Sequence, residues 1–199
     1  MSDIPVDTSK RTWLIASGCA GAVGAGFTAV PFVSSFQPSE RAKAAGAAVE
    51  ADISSLKPGE KMTVEWRGKP VWIVRRTREQ VAELPKIDGL LADPKSERKP
   101  DELTPQYARN EGRSIKPEFL VVVGICSHLG CSPSDKFQAG PQPSLPDNWQ
   151  GGFLCPCHGS TFDLAGRVFK NKPAPDNLEV PPHMFVSDTR VLIGEDRKG

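Results

Sequence analysis

Two short blocks constrain this chain more than any other feature: Cys126-Ser127-His128-Leu129-Gly130-Cys131 and Cys155-Pro156-Cys157-His158-Gly159-Ser160. Together they hold four of the five cysteines and two of the three histidines. Random scatter does not produce that grouping, so the blocks are read as one site built from two converging loops. Thiolate and neutral imidazole are soft-to-borderline ligands, suited to zinc or an iron–sulfur cluster. The six candidates (Cys126, His128, Cys131, Cys155, Cys157 and His158) exceed by two what a tetrahedral metal or a [2Fe–2S] cluster needs. An all-cysteine cluster would leave two well-placed histidines idle. A zinc site usually pairs Cys with Cys and His with His at set gaps, whereas here each block mixes the types, as Cys-x-His and Cys-x-x-His.

That mixture resembles a Rieske centre, in which two His replace two Cys on one of two irons. C-x-H-x-x-C and C-x-C-H-G-S are similar to the paired boxes of the Rieske proteins of quinol–cytochrome c oxidoreductases, the cytochrome bc complexes. The resemblance implies one [2Fe–2S] cluster per subunit, with Cys126 and Cys155 on the inner iron and His128 and His158 on the outer one. It also implies a disulfide between Cys131 and Cys157 that ties the loops together. Replacing two thiolates by two imidazoles removes negative charge and raises the potential, to roughly −150 to +300 mV against about −400 mV for plant-type ferredoxins. A quinol donor needs the upper part of that range. Iron(III) also acidifies the imidazole N–H groups that face away from it, which couples reduction to protonation.

The neighbours fit the same reading. The Ser160 hydroxyl is placed to bond cluster sulfur, against the blander role of a turn serine bonding local backbone. Gly130 and Gly159 allow tight turns around the sulfurs. Leu129 is either an exposed apolar tip that shields the cluster and helps docking, or simple packing. High-potential members of the family often carry Tyr two residues after this Ser; Phe162 stands there and cannot donate a hydrogen bond, so a lower potential is expected. Lys172-Pro173-Ala174-Pro175 resembles the stiff proline-rich loop that covers the cluster in the family. His183 is read as structural or solvated, and Asp163 as a local hydrogen-bond or ion-pair partner.

At the other end, residues 12–39 carry no charged side chain. Residues 12–33, as a helix, would reach roughly 33 Å, enough for a bilayer core of about 30 Å. Cys19 is read as a buried small hydrophobe in this span. Lys10 and Arg11 before it place the N-terminus in the cytoplasm and the rest of the chain across the membrane. Ser9-Lys10-Arg11-Thr12-Trp13-Leu14 resembles a twin-arginine export signal with Lys for the first Arg. The span is long for a cleaved signal peptide and is read as an anchor. The layout is therefore a tail (1–11), an anchor (12–33), a hinge or linker (34–52) and a periplasmic domain (53–199) with a cluster-binding subdomain at about 124–176. A disulfide is compatible with a bacterial periplasm.

The fold class expected is all-β: a Rieske-type antiparallel sandwich with the inserted cluster subdomain, preceded by one transmembrane helix. Residues 62–66 and 71–74 flank Arg67-Gly68-Lys69-Pro70 as a hairpin, 77–84 form a turn or two of helix from a Thr cap, and 119–123 form a buried strand delivering the first block. Residues 168–170, 184–186 and 191–193 are further short strands; 132–150 is a Pro- and Gly-rich loop; 85–116 is polar and either wraps the domain or meets a partner. A net charge of +1 with interspersed signs gives no basic excess for nucleic acid.

The resemblance implies an electron-transfer subunit of a quinol–cytochrome c oxidoreductase in a bacterial inner membrane. Its partners would be a cytochrome b subunit, a c-type cytochrome and quinol, in a dimeric complex. The imidazole contacting quinol would be His158, although the residues alone permit either ring. The small Rieske subunit of a periplasmic oxidase, such as arsenite oxidase, is the alternative. A soluble Rieske ferredoxin would normally lack Cys131, Cys157 and the anchor.

Overall fold

The computed structural model describes residues 8–40, 46–99 and 101–196. Two compact units divide near residue 44 and are described separately. The first holds helix α1 (Thr8–Ser34), which begins four residues before the expected span and so includes Lys10 and Arg11. Its mean hydropathy reaches 1.5, and its 27 residues give about 40 Å. Hydroxyls along it return their protons to the helix backbone: Thr12 to the Thr8 carbonyl, Ser17 to Leu14, Thr28 to Gly24 and Ser34 to Pro31. That suits a medium offering no water. Cys19 is exposed on this helix rather than buried by the chain. The expected tail (1–7) and part of the expected linker (41–45) lie outside the described residues.

The second unit, among its described residues, has nine strands in three antiparallel sheets. They are β1 (Val49–Asp52), β2 (Lys61–Trp66), β3 (Lys69–Arg75), β4 (Phe119–Val123), β5 (Ser134–Lys136), β6 (Gly152–Leu154), β7 (Thr161–Asp163), β8 (His183–Ser187) and β9 (Arg190–Ile193). The sheet orders are β1-β9-β8, β2-β3-β4 and β5-β6-β7. The β2–β3 hairpin closes on two residues, Arg67 and Gly68, both at positive φ (52° and 70°). That two-residue turn matches strand twist, so Lys69 and Pro70 join β3 instead of the turn expected for them, pairing with Trp66 and Glu65.

The middle sheet explains the unbroken apolar run of β4. Side chains alternate across a strand, and here both faces are covered. Val71, Ile73, Val121 and Val123 pack toward Ala51, Val191 and Ile193. Trp72, Val74, Leu120 and Val122 pack toward Phe153, Phe162 and Leu178, on the side that also holds Cys126 and Cys155. Each such side chain contributes about 1.5–3 kcal/mol on burial. Trp72 stacks on Phe153 with centroids 5.0 Å apart, joining base and subdomain.

Helix α2 (Arg78–Glu83) starts at Thr77, whose side chain accepts from the Gln80 N–H while the Gln80 side chain accepts from the Thr77 N–H. Beyond it, the described residues of 84–116 run along the domain and are fastened to it. It contains 3-10 turns at Leu84–Leu90 and Gln106–Ala108. Three fully buried arginines do the fastening. Arg76 donates to the Gly112 and Leu164 carbonyls (2.8 and 3.0 Å). Arg113 donates to Thr104 Oγ1, Leu178 O and Ala165 O (2.7, 2.7 and 3.1 Å). Arg167 donates to Leu84 O and Asp88 Oδ1 (both 2.7 Å) and to Asp163 Oδ2 (2.8 Å). Burial lowers Arg76 and Arg113 to about 10, with the Asp163 carboxylate opposing the shift, so both stay cationic near neutral pH.

Three expectations need correction. The end of the stretch expected as linker, Val49–Asp52, is strand β1, paired to β9 from Val49↔Ile193 to Asp52↔Arg190; its small and acidic residues gave no apolar signal. The 132–150 loop contains β5, whose Ser-Asp-Lys sequence is polar because its side chains are mostly outside. Residues 168–170 form isolated bridges, Phe162↔Val168 and Leu91↔Phe169, instead of a strand.

Candidate metal centre

The first block leaves β4 and the second lies between β6 and β7, so both loops rise from hydrogen-bonded strands. Their backbones close in the same way. Cys126 N–H donates to the Cys131 carbonyl (2.8 Å) and Gly130 N–H to the Cys126 carbonyl (3.1 Å). Cys155 N–H donates to the Ser160 carbonyl (2.7 Å) and Gly159 N–H to the Cys155 carbonyl (3.0 Å). Gly130 and Gly159 both take positive φ, 84° and 73°, which any other residue would adopt only with strain. In this shared frame Cys126 corresponds to Cys155. The two histidines do not correspond, since His128 lies two residues after its cysteine and His158 three.

Cys131 and Cys157 form a disulfide across the loops, as the resemblance implied. With a sequence separation of 26, the crosslink contributes about 3–4 kcal/mol by restricting the unfolded chain. It also removes both sulfurs from the ligand pool, although the Cys155 sulfur lies within 4.8 Å of each. Cys126 and Cys155 remain free thiols, each only 2% exposed. Burial pushes the Cys126 thiol pKa up, and the facing Cys155 sulfur adds to the rise. The His128 N–H and the Ser160 hydroxyl, bonded to the Cys126 sulfur, oppose it.

The His128 and His158 rings meet edge to face with centroids 4.8 Å apart. His128 is half-buried and His158 exposed. The donor set fits a Rieske [2Fe–2S] cluster. Two thiolates side by side in a buried floor are costly unless a cationic centre neutralises them, and two imidazoles are the donors that would hold the second iron of such a cluster. Leu129, 72% exposed, is a tip and not packing.

Ser160 is fully buried, and its Oγ accepts the Ala174 N–H (3.0 Å) as well as bonding Cys126 sulfur. The Ala174 amide lies 14 residues further along the chain, so this is not the local turn bond weighed for it. Phe162 is fully buried in the core beneath. Asp163 accepts the Ala165 and Arg167 N–H groups and pairs with the Arg167 guanidinium, a turn anchor as expected. His183 is buried, with Nδ1 bonded to the Pro181 carbonyl, and is structural instead of solvated.

Sequence reasoning passed over Ser127. Its Oγ donates to the Asp176 carbonyl (2.6 Å) and accepts the Asp176 N–H (3.3 Å). Both loops are thereby fastened to the proline-rich segment by a hydroxyl. Its place between Cys126 and His128 was the available signal.

A Rieske [2Fe–2S] domain model matches residues 47–182. A second family model, described as Ubiquitinol-cytochrome C reductase Fe-S subunit TAT signal, matches residues 7–39. The ubiquinol–cytochrome c reductase iron–sulfur subunit of Allochromatium vinosum is 57% identical over 188 residues, covering 94% of this chain and 89% of that one. The subunit of the same name from Bradyrhizobium diazoefficiens is 40% identical over 188 residues, 94% of each chain. That from Rhodospirillum rubrum is 39% identical over 189 residues, covering 94% of this chain and 93% of its own.

Proposed function

The chain belongs to the Rieske [2Fe–2S] family, with the iron–sulfur subunits of ubiquinol–cytochrome c reductase, and from that premise we propose how its residues serve electron and proton transfer. It is the electron-transfer subunit of a quinol–cytochrome c oxidoreductase, working beside cytochrome subunits of the same complex. Nothing in the relatives favours the small Rieske subunit of a periplasmic oxidase such as arsenite oxidase.

Cys126 and Cys155 would hold the inner iron, and His128 and His158 the outer one. When bound, the [2Fe–2S] cluster supplies a one-electron carrier whose potential lies above that of all-cysteine clusters. The observation that carries the assignment is the pair of buried thiols on the same two loops as two imidazoles that meet edge to face.

The exposure of His158 beside half-buried His128 supports His158 as the quinol contact. Its ring nitrogen away from the metal accepts a hydrogen bond from the quinol hydroxyl, takes the proton and releases it on the periplasmic side. Leu129, next to His128 at the loop tip, gives the apolar surface that docks this end against the cytochrome b subunit and excludes water there. The Ser160 hydroxyl, bonded to Cys126 sulfur, draws charge from that ligand and favours reduction. Helix α1 anchors the chain in a bacterial inner membrane with residues 53–199 in the periplasm. The linker lets the head move from the quinol site to a c-type haem in a dimeric complex.

The test is iron and acid-labile sulfide analysis of the purified membrane complex, with EPR of the reduced state. About two irons and two sulfides per chain are expected. Replacing His128 or His158 should abolish both the signal and quinol turnover. An iron-free wild-type complex, or a His158 variant with normal signal and turnover, would overturn the assignment.

A further inference from the structure

The segment Pro173-Ala174-Pro175-Asp176 is held from two sides. On the inner side its partners adjoin the ligand residues: Ala174 N–H donates to Ser160 Oγ, and Asp176 exchanges two hydrogen bonds with Ser127 Oγ. On the outer side stand two cations that the functional reading leaves without a task. Arg98 Nη1 donates to the Pro175 carbonyl (2.7 Å), and Lys99 Nζ donates to Asp176 Oδ2 (2.8 Å). Asp176 is only 8% exposed, and Lys99 is its ion partner among the described residues.

The turn carrying these cations is itself built. The Asp93 carboxylate accepts the N–H groups of Glu97 and Arg98 (2.9 and 3.1 Å). Asn177, directly after Asp176, donates its side-chain amide to the Asp93 carbonyl and Ser96 Oγ (2.9 and 3.3 Å). The cations therefore reach the segment from a fixed base and not from a loose arm.

We infer that Arg98 and Lys99 are positioning residues for the 173–176 segment, closing it onto Ser127 and Ser160 and so keeping water and chelators from the cluster ligands behind them. Two prolines stiffen the segment but leave it few amides of its own to bond with. Its closure therefore rests on the few bonds at Ala174, Pro175 and Asp176. Without the Lys99 ammonium, a nearly buried carboxylate loses its counter-charge, and it regains solvation by swinging the segment outward. Asp176 then withdraws from Ser127. The inference rests on the reading of Cys126, Cys155, His128 and His158 as cluster ligands.

The experiment uses the full chain in its membrane complex, with Lys99→Met, Lys99→Arg and the double change Arg98→Met plus Lys99→Met. Hydrogen exchange at the Ala174 and Asp176 amides is read by mass spectrometry, and bleaching of the cluster absorbance is followed under an iron chelator. In Lys99→Met both rates should rise up to about fivefold, the opening that loss of one partly exposed ion pair permits, and in the double variant, which also loses the Arg98 bond to the Pro175 carbonyl, by at least as much. Exchange in β4 should not change, and Lys99→Arg should restore both rates. Wild-type rates in the double variant, or Lys99→Arg behaving as Lys99→Met, overturn the inference. If the double variant fails to accumulate, Asp176→Asn cuts the same pair from the other side and is judged by the same rates. A wild-type complex without iron and sulfide would defeat the cluster assignment, while amide exchange would still decide the clamp.

Discussion

Gly124 stands two residues before Cys126 and should tolerate no side chain. A Cβ built there would lie 2.1, 2.4 and 2.5 Å from Cε2, Cζ2 and Nε1 of the Trp72 indole. Neither partner can retreat cheaply. The Gly124 N–H is bonded to the Pro70 carbonyl at 2.8 Å. The indole is stacked on Phe153 and has the Lys61 ammonium 4.2 Å from its centroid. Overpacking of this kind costs about 1–3 kcal/mol, and three such contacts put Gly124→Ala at the upper end. Stiffening of the unfolded chain returns about 0.4–1 kcal/mol, leaving a net loss of about 2–3 kcal/mol. At about 2–4 °C per kcal/mol for a domain of this size, the midpoint should fall by about 5–10 °C. Circular-dichroism melting of wild type, Gly124→Ala, Trp72→Phe and the double variant measures this. The double variant should be at least about 1 kcal/mol more stable than the two single losses summed, because the smaller ring leaves room for the methyl. A Gly124→Ala midpoint within a degree of wild type would refute the reasoning, since it would mean that the Trp72–Phe153 stack yields freely.

Asp163→Asn leaves the fully buried Arg167 guanidinium without its buried counter-ion; a loss of about 3–5 kcal/mol is expected from urea unfolding. Burial holds the His183 pKa below its ordinary value near 6.5. The unfolded chain therefore takes up that proton first, and stability that is complete above about pH 6.5 drains as pH falls toward the folded-state value, by up to about 1.4 kcal/mol per unit. The slope of stability against pH between 7 and 5 should accordingly be shallower in His183→Gln than in wild type. Phe162→Tyr should raise the cluster potential by about 20–60 mV in a redox titration, the worth of one added hydrogen bond to ligand sulfur. No shift would show that the buried Phe162 position gives a hydroxyl no sulfur to reach.

The sequence spoke most clearly where chemistry is local. A Rieske cluster takes two Cys and two His, so the spacing of Cys126, His128, Cys155 and His158 pointed to the family without any fold. The all-apolar 119–123 stretch likewise announced a strand covered on both faces. Legibility failed where a role depends on distant neighbours. A guanidinium buried among carbonyls, as in Arg76 and Arg113, reads in sequence like one in water. Strands β1 and β5 are paired by backbone groups, and their small or polar side chains carry no period to detect. The hairpin turn was misplaced by two residues because Pro70 suggests a bend, although it sits at the start of β3 opposite Glu65.

The sheet β2-β3-β4 is a party wall, with one room on either side. A stretch cut out at residues 124–176 would keep its sulfurs and rings but lose the partition that Phe153 and Phe162 lean on. The redox head is therefore not a cassette. Any transplant into another scaffold has to carry the partition with it, including β2 and β3, which lie far upstream in the chain.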